Sequence, residues 1–132
     1  MRLIPTLCLL LTLSPPASAQ DQPIRETITD QLAAFDAGDT PRAFSYASPT
    51  IRSLFGTPEN FARMVRQGYP MVWQHGDVKM LGLRNVAGNL WQRVMITDAE
   101  GRSHLLDYKM IETPEGWQID AVQLLPEAGT GA

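Results

Sequence analysis

The chain has 132 residues, with 11 basic and 14 acidic side chains, a single cysteine and a net charge of −3 at neutral pH. This length suits one domain and is short for two. The sequence shows no basic run or patch, so a nucleic-acid partner, whose phosphates need basic side chains, is not expected.

The N-terminal segment has the pattern of an export signal. Arg2 precedes an apolar run from Leu3 to Leu13, and the triplet Ala17-Ser18-Ala19 has the small residues of a cleavage site. The apolar run is too short to span a bilayer. We therefore expect a signal peptide over residues 1–19, cleavage after Ala19, and a periplasmic or secreted mature protein without a membrane span.

The only cysteine, Cys8, lies inside this segment and would leave with it. The mature domain would then have no thiol for a disulfide, a nucleophile or a metal ligand.

Residues 20–125 are expected to form one domain that begins with helices. The stretch from Pro23 to Asp36 has apolar residues at helical spacing, Asp21 or Gln22 can cap it, and Gly38 is a stop signal.

A hydroxyl residue followed by proline then occurs three times, at Thr40-Pro41, Ser48-Pro49 and Thr57-Pro58. Each pair suits an N-cap with proline at the first helical position, where the missing N–H costs nothing. The pattern predicts three short helices, with these bounds: Pro41 to about Ala47, Pro49 to Phe55, and Pro58 to Gln67.

After Pro70 the hydrophobic period changes from helix to strand, and turn residues separate the apolar segments. This order indicates an α+β fold in which N-terminal helices pack on a curled antiparallel β-meander. The tail, residues 126–132, is expected to be flexible. The predicted strands are Met71–Gln74, Val78–Asn85, Leu90–Asp98, Ser103–Glu112 and Trp117–Leu125.

The turn at Asp98–Gly101 suggests a three-residue hairpin loop, which fixes the register of the strands on either side. On the helix-facing side this register pairs Leu90 with Met110, Gln92 with Tyr108, Val94 with Leu106 and Ile96 with His104. On the outer side it pairs Arg93 with Asp107 as an ion pair, and Trp91 with Lys109 as a cation–π contact.

The turn at Thr113–Gly116, read in the same way, places Val122 beside Tyr108, Leu124 beside Leu106 and Asp120 beside Met110. The first hairpin is ambiguous, because its loop can hold two or three residues. Either Leu81 and Leu83, or Met80, Gly82 and Arg84, would face inward, so the facing of strand 78–85 stays open.

The predicted sheet has some polar residues on its inner face and some apolar residues on its outer face. The inner face holds the polar residues Gln92, His104, Tyr108 and Asp120, which need partners or a wet pocket. The outer face carries apolar side chains, which favours either a homodimer through the sheet or cover by another segment of the chain. These outer residues are Trp91, Met95, Leu105, Ile111, Trp117 and Ile119.

Six segments of the expected mature chain have a recognisable pattern. The most specific are "YASPTIRSLFG" and "PENFARMVRQGYP"; the others are "QLAAFDAGD", "QRVMITDAEG", "LLDYKM" and "GWQIDAVQL". Together they resemble the bacterial domain-of-unknown-function 4864 family over nearly all of the expected mature chain. That family is similar to the nuclear transport factor 2-like group, so the resemblance implies a cone-like α+β fold with a cavity and no assigned activity.

Two functional hypotheses follow. The first is a non-catalytic module that binds a small apolar ligand or an envelope protein, with Tyr46, Gln92 and Tyr108 as candidate binding residues. The second is a small cavity enzyme of the isomerase or dehydratase type, in which Asp120 or His104 moves a proton and Tyr108 donates a hydrogen bond.

Metal and cofactor sites are not predicted. His75-Gly76-Asp77 offers two ligand types in one turn, and His104 and Asp107 point to opposite faces of a strand, so neither pair makes a site alone. The sequence also has no glycine-rich phosphate loop.

Overall fold

The computed structural model of the protein describes residues 18–126, with side chains from residue 20 onward. Five helices come first and four strands follow. Residues 1–17 of the expected signal peptide and residues 127–132 of the expected tail lie outside the described residues. The elements are α1 (Ser18–Asp36), α2 (Thr40–Ser45), α3 (Pro49–Phe55), α4 (Pro58–Gly68), α5 (Pro70–Trp73), β1 (His75–Val86), β2 (Asn89–Asp98), β3 (Ser103–Thr113) and β4 (Gly116–Leu124).

The expected α+β class is confirmed. The strands form an open antiparallel sheet in the order β1-β2-β3-β4, and the core lies between one face of this sheet and the helices. Within residues 18–126, no helix is both long and apolar enough to cross a membrane. Among the largest fully buried side chains of the core are Ile24, Ile28, Val94, Ile96, Leu106 and the ring of Tyr108.

The two later hydroxyl–proline pairs act as predicted. The hydroxyls of Ser48 and Thr57 accept hydrogen bonds from the backbone N–H groups of Ile51 and Asn60, each at 3.2 Å. The prediction was wrong for the first pair, because Asp39 caps α2 by accepting from the Arg42 N–H at 3.2 Å. A carboxylate one residue earlier has taken the place expected for the Thr40 hydroxyl.

Two other helical expectations also need correction. Helix α1 begins at Ser18, so neither Asp21 nor Gln22 is its cap, and Pro23 lies inside the helix. Residues 71–74 were expected to form a strand, but Pro70 begins the short helix α5, in which Met71 and Val72 are buried. Proline at the first helical position is the signal that favours this helix.

The β2–β3 register is confirmed at every predicted pair, including Gln92 with Tyr108 and Arg93 with Asp107. The predicted ion pair forms, with 3.1 Å between Arg93 Nη2 and Asp107 Oδ2. Lys109 lies opposite Trp91, but its ammonium group pairs with Asp120 at 3.4 Å.

A β-bulge settles the open question about β1. Met80 pairs with Val94 and Leu83 pairs with Gln92, with a register shift between them. Both Met80 and Leu83 therefore face the core, which neither regular register allows. At the bulge, the Leu81 carbonyl accepts a hydrogen bond from Nε2 of the buried Gln92 side chain at 2.8 Å.

Another bulge, in β4, overturns the predicted position of Asp120. Val122 pairs with Tyr108 and Leu124 with Leu106 as expected, but Ile119 rather than Asp120 lies opposite Met110. Asp120 is the extra residue of the bulge. The shift also carries Ile119 into the core and packs Trp117 against it, so neither belongs to the outer face.

Candidate functional site

A cavity of about 280 Å³ lies between α3, α4 and strand β4. Its wall is mainly apolar, and Leu54, which is 72% exposed, marks its open side. The polar residues in the wall are Gln31, Tyr69, Tyr108 and Asp120. The apolar wall residues are Phe35, Ala47, Ile51, Leu54, Phe55, Phe61, Met64, Val65, Val72, Ile119, Ala121 and Val122.

Tyr108 is the most deeply buried polar residue of this wall. It is 1% exposed, and its hydroxyl has no hydrogen-bond partner among residues 20–126. Burial first, and then the nearby Tyr69, raises the pKa of Tyr108 well above its ordinary value, so the group stays a neutral O–H donor. A buried donor without a partner costs about 1–3 kcal/mol.

The other polar residues of the wall already have partners. Gln31 donates to the Ala43 carbonyl at 3.1 Å, and the Tyr69 hydroxyl donates to the Val122 carbonyl at 2.9 Å. These two side chains tie α1 and the start of α5 to their neighbours. Tyr108 differs from Gln31 and Tyr69 because its hydroxyl donates no hydrogen bond to residues 20–126.

Asp120 lines the cavity, and each oxygen of its carboxylate has a partner. Oδ1 accepts a hydrogen bond from the Ser48 hydroxyl at 2.7 Å, and Oδ2 lies 3.4 Å from Lys109 Nζ. Because a hydroxyl and an ammonium group hold both oxygens, Asp120 is not the isolated carboxylate in apolar surroundings that the acid–base hypothesis assumed.

The bulge at Asp120 also joins β4 to the segment between α2 and α3. Backbone N–H groups of Ser48 and Ile119 donate to the carbonyls of Ile119 and Tyr46, at 2.8 and 2.9 Å. This edge pairing, with the bond from Ser48 to Asp120, forms what we call the Ser48 junction. It closes one side of the cavity with Ala47 and Ile119.

The remaining candidate residues lie elsewhere. His104 Nε2 contacts Asp98 Oδ2 at 2.8 Å, and neither residue lines the cavity. Gln92 is fully buried and bonds the carbonyls of Leu81 and Arg93. Of the predicted group, the structure brings together Tyr108 and Asp120 and leaves out His104 and Gln92.

Tyr46 lies on the far side of the Ser48 junction, in a second depression of about 550 Å³ that we call the α1–β4 groove. Sequence reasoning singled out Tyr46 but missed its groove, because α1 and the turn before β4 meet there only in the folded chain. The groove is lined by Pro23, Glu26, Thr27, Asp30, Ser45, Tyr46, Arg52, Glu115, Gly116, Trp117 and Gln118.

The outer face of the sheet has a charged centre. Asp107 is 4% exposed and is bound by both Arg84 and Arg93. Burial raises the pKa of Asp107, but the hydrogen bond from Arg93 and the charges of both guanidinium groups outweigh it, so the pKa lies below its ordinary value. The outer apolar residues Trp91, Met95, Leu105 and Ile111 are half-buried around this centre.

Neither candidate histidine gathers a metal-ligand set in residues 18–126, where no group of three or more such side chains occurs. His75 lies between the Asp36 carboxylate, 3.0 Å from Nε2, and the Val72 carbonyl, 3.0 Å from Nδ1. It thereby links α1, α5 and β1.

Comparison with known proteins gives one match. Residues 17–132 match the model of a family described as "Domain of unknown function (DUF4864)", so the chain belongs to that family. No curated protein and no solved structure matches the chain significantly.

Ser48→Ala should lower the free energy of unfolding by about 2–4 kcal/mol, because it removes both the cap of α3 and the hydrogen bond to a charged group. Thr57→Ala removes only an N-cap hydrogen bond of the same length and should lower the free energy of unfolding by about 1 kcal/mol. Urea denaturation followed by circular dichroism measures both. Equal losses for the two variants would contradict the role of the Ser48 junction.

The Asp107 ion pairs should make stability depend on pH. Because the folded pKa lies below the unfolded one, their contribution is complete above the ordinary carboxylate value of about 4 and is lost as pH falls through the folded pKa. Asp107→Asn should therefore be less stable than the wild type at neutral pH, and the difference should shrink on acidification. Urea titrations between pH 7 and pH 3, with the exposed Asp77→Asn as control, measure this; a constant difference would be inconsistent with it.

Proposed function

We propose that this member of the DUF4864 family binds a small, mainly apolar molecule in its cavity and does not catalyse a reaction. One observation carries the proposal: an open apolar cavity of about 280 Å³ holds a buried tyrosine hydroxyl that has no partner among residues 20–126.

The cavity volume limits the size of the ligand. An engineered cavity of about 150 Å³ in another protein holds one benzene molecule. By that measure, about 280 Å³ suits roughly a bicyclic compound or a chain of about ten carbons. The apolar wall supplies the affinity by removing such a molecule from water.

The Tyr108 hydroxyl limits the polar chemistry of the ligand. A neutral O–H that lacks a partner favours a ligand with one hydrogen-bond acceptor, such as a carbonyl or ether oxygen. Binding would then remove the cost of the unpaired donor, which makes Tyr108 a selectivity determinant rather than a source of stability.

A second candidate function, acid–base catalysis of the isomerase or dehydratase type, is supported by the presence of Tyr108 and Asp120 in the same wall. The bonds of Asp120 to Ser48 and Lys109 weigh against it. Incubating the protein with its co-purifying ligand and recovering the ligand separates the two functions: a binding protein returns it unchanged, whereas an enzyme returns a product.

The cellular setting is also a proposal. The pattern of residues 1–19 supports export and cleavage after Ala19, for which N-terminal sequencing of the protein from its own cells should give Gln20 as the first residue. The order of helices before an antiparallel sheet, with a cavity between them, supports a relation to the nuclear transport factor 2-like group.

The outer sheet face supports a homodimer as the partner interaction. On the side of the sheet opposite the core, its half-buried apolar residues surround Asp107 and the two arginines that bind it, Arg84 and Arg93. Sedimentation of the purified protein should show dimers, and a strict monomer at high concentration would contradict this. An envelope protein that covers the same face would instead be recovered with the chain in a pull-down.

Ile51→Trp should block the cavity, because Ile51 lines it and an indole ring fills much of its volume. Binding of the probe 2-acetylnaphthalene, a neutral bicyclic compound with one carbonyl acceptor, should weaken roughly tenfold or more in isothermal titration calorimetry. Ser53→Trp places the same ring on the exposed side of the same helix and should leave binding unchanged. If both variants bind the probe as the wild type does, the cavity is not the binding site.

Tyr108→Phe should leave the free energy of unfolding unchanged or raise it by up to about 1 kcal/mol, because the hydroxyl that it removes has no partner. Tyr69→Phe is the matched control and should cost about 1 kcal/mol, since it loses the bond to the Val122 carbonyl. Thermal unfolding of the ligand-free proteins distinguishes them. A large loss of stability in Tyr108→Phe would mean that the hydroxyl is structural.

A further inference from the structure

The α1–β4 groove has acidic walls on two sides. Glu26 and Asp30 lie four residues apart on α1, and both are exposed. Glu115 faces them from the turn between β3 and β4 and is paired with Arg52 at 3.5 Å. Glu26 and Asp30 have no ion-pair partner among residues 20–126, so the groove keeps a negative charge on its α1 side.

Two aromatic residues lie in the same groove. Tyr46 and Trp117 are half-buried, and both contribute to its lining. Tyrosine and tryptophan faces attract ammonium groups, and the attraction grows where water is partly excluded. Aromatic rings beside carboxylates therefore favour a cationic occupant over an anionic one.

Gln118 provides an independent sign of a missing partner. It is 4% exposed, and its Nε2 donates to the Ser45 carbonyl at 3.4 Å and to Glu115 Oε2 at 3.3 Å, both in the groove lining. Its Oε1 has no hydrogen-bond partner among residues 20–126. Gln118 lines the groove, so the wall of the groove holds a buried acceptor that lacks an N–H or O–H donor.

Arg42 contacts the groove residue Tyr46 and limits the choice of ligand. Its Nε donates to the Tyr46 hydroxyl at 3.2 Å. That hydrogen bond is the main cause of its raised pKa, to which the charges of Asp30 and Asp39 also contribute. Because Arg42 offsets part of the negative charge, a single ammonium group gains less here than a ligand whose charges reach both acidic walls.

We propose that the α1–β4 groove binds an aliphatic diamine or polyamine. Its ammonium groups pair with Glu26 and Asp30 on one wall and with Glu115 on the other, and one N–H satisfies Gln118. The methylene stem packs along Tyr46 and Trp117. The Ser48 junction lies between this groove and the cavity, so the inference does not depend on the proposed apolar ligand.

Isothermal titration calorimetry of the full chain with spermidine at low ionic strength tests the proposal. Glu26→Gln together with Asp30→Asn should weaken binding by roughly tenfold or more, since it removes the unpaired carboxylates. The control, Glu59→Gln with Asp77→Asn, removes the same charge from exposed positions outside the groove and should change the affinity by less than about twofold.

Diacetylated spermidine, which lacks the terminal charges, should bind far more weakly than spermidine itself. Equal losses in the two double variants would overturn the proposal, because the binding would then follow net charge alone. The proposal is also overturned if spermidine does not bind at millimolar concentration, or if only a lysine-rich peptide binds.

Discussion

The edge pairing at the Ser48 junction is the contact on which the cavity and the α1–β4 groove both depend. Strand β4 is the last strand of an open sheet, and its backbone groups would otherwise face solvent at Ile119. The chain between α2 and α3 satisfies them, and Ser48 adds a bond to the carboxylate of the bulge. One short segment thereby closes the cavity on one side and borders the groove on the other.

Pro49, directly after the Ser48 cap, explains how the chain reaches this geometry. Ser48 is extended, with ψ of 161°, and Pro49 starts the next helix at once. A longer helix through this region would have no extended residues to pair with β4. The Ser48-Pro49 pair therefore breaks the helical region where the sheet edge needs a partner, and Ser48 serves as cap and anchor together.

Much of the fold could be predicted from local signals, and the failures share a physical cause. The turn at Asp98–Gly101 determined the β2–β3 register at every pair, because a short loop leaves little freedom. Bulges break that logic, because each adds a residue to one strand. Gly82 lies at the bulge between Met80 and Leu83, where a glycine inside a strand indicates such a bulge, but no residue type near Asp120 indicates the one in β4. The error moved Asp120 and Ile119 by one position, which changed the composition of both faces.

The candidate site was harder to predict, because its polar residues are defined by partners far away in sequence. Tyr108 was expected on the inner face, but only the structure shows that Tyr69 and Gln31 bond elsewhere and leave its hydroxyl alone.

Native mass spectrometry of the protein from its own cells tests the cavity account most directly. The account predicts an apolar adduct on the wild type that Ile51→Trp loses and Ser53→Trp keeps; a wild type without adduct, or one retained in Ile51→Trp, would contradict it.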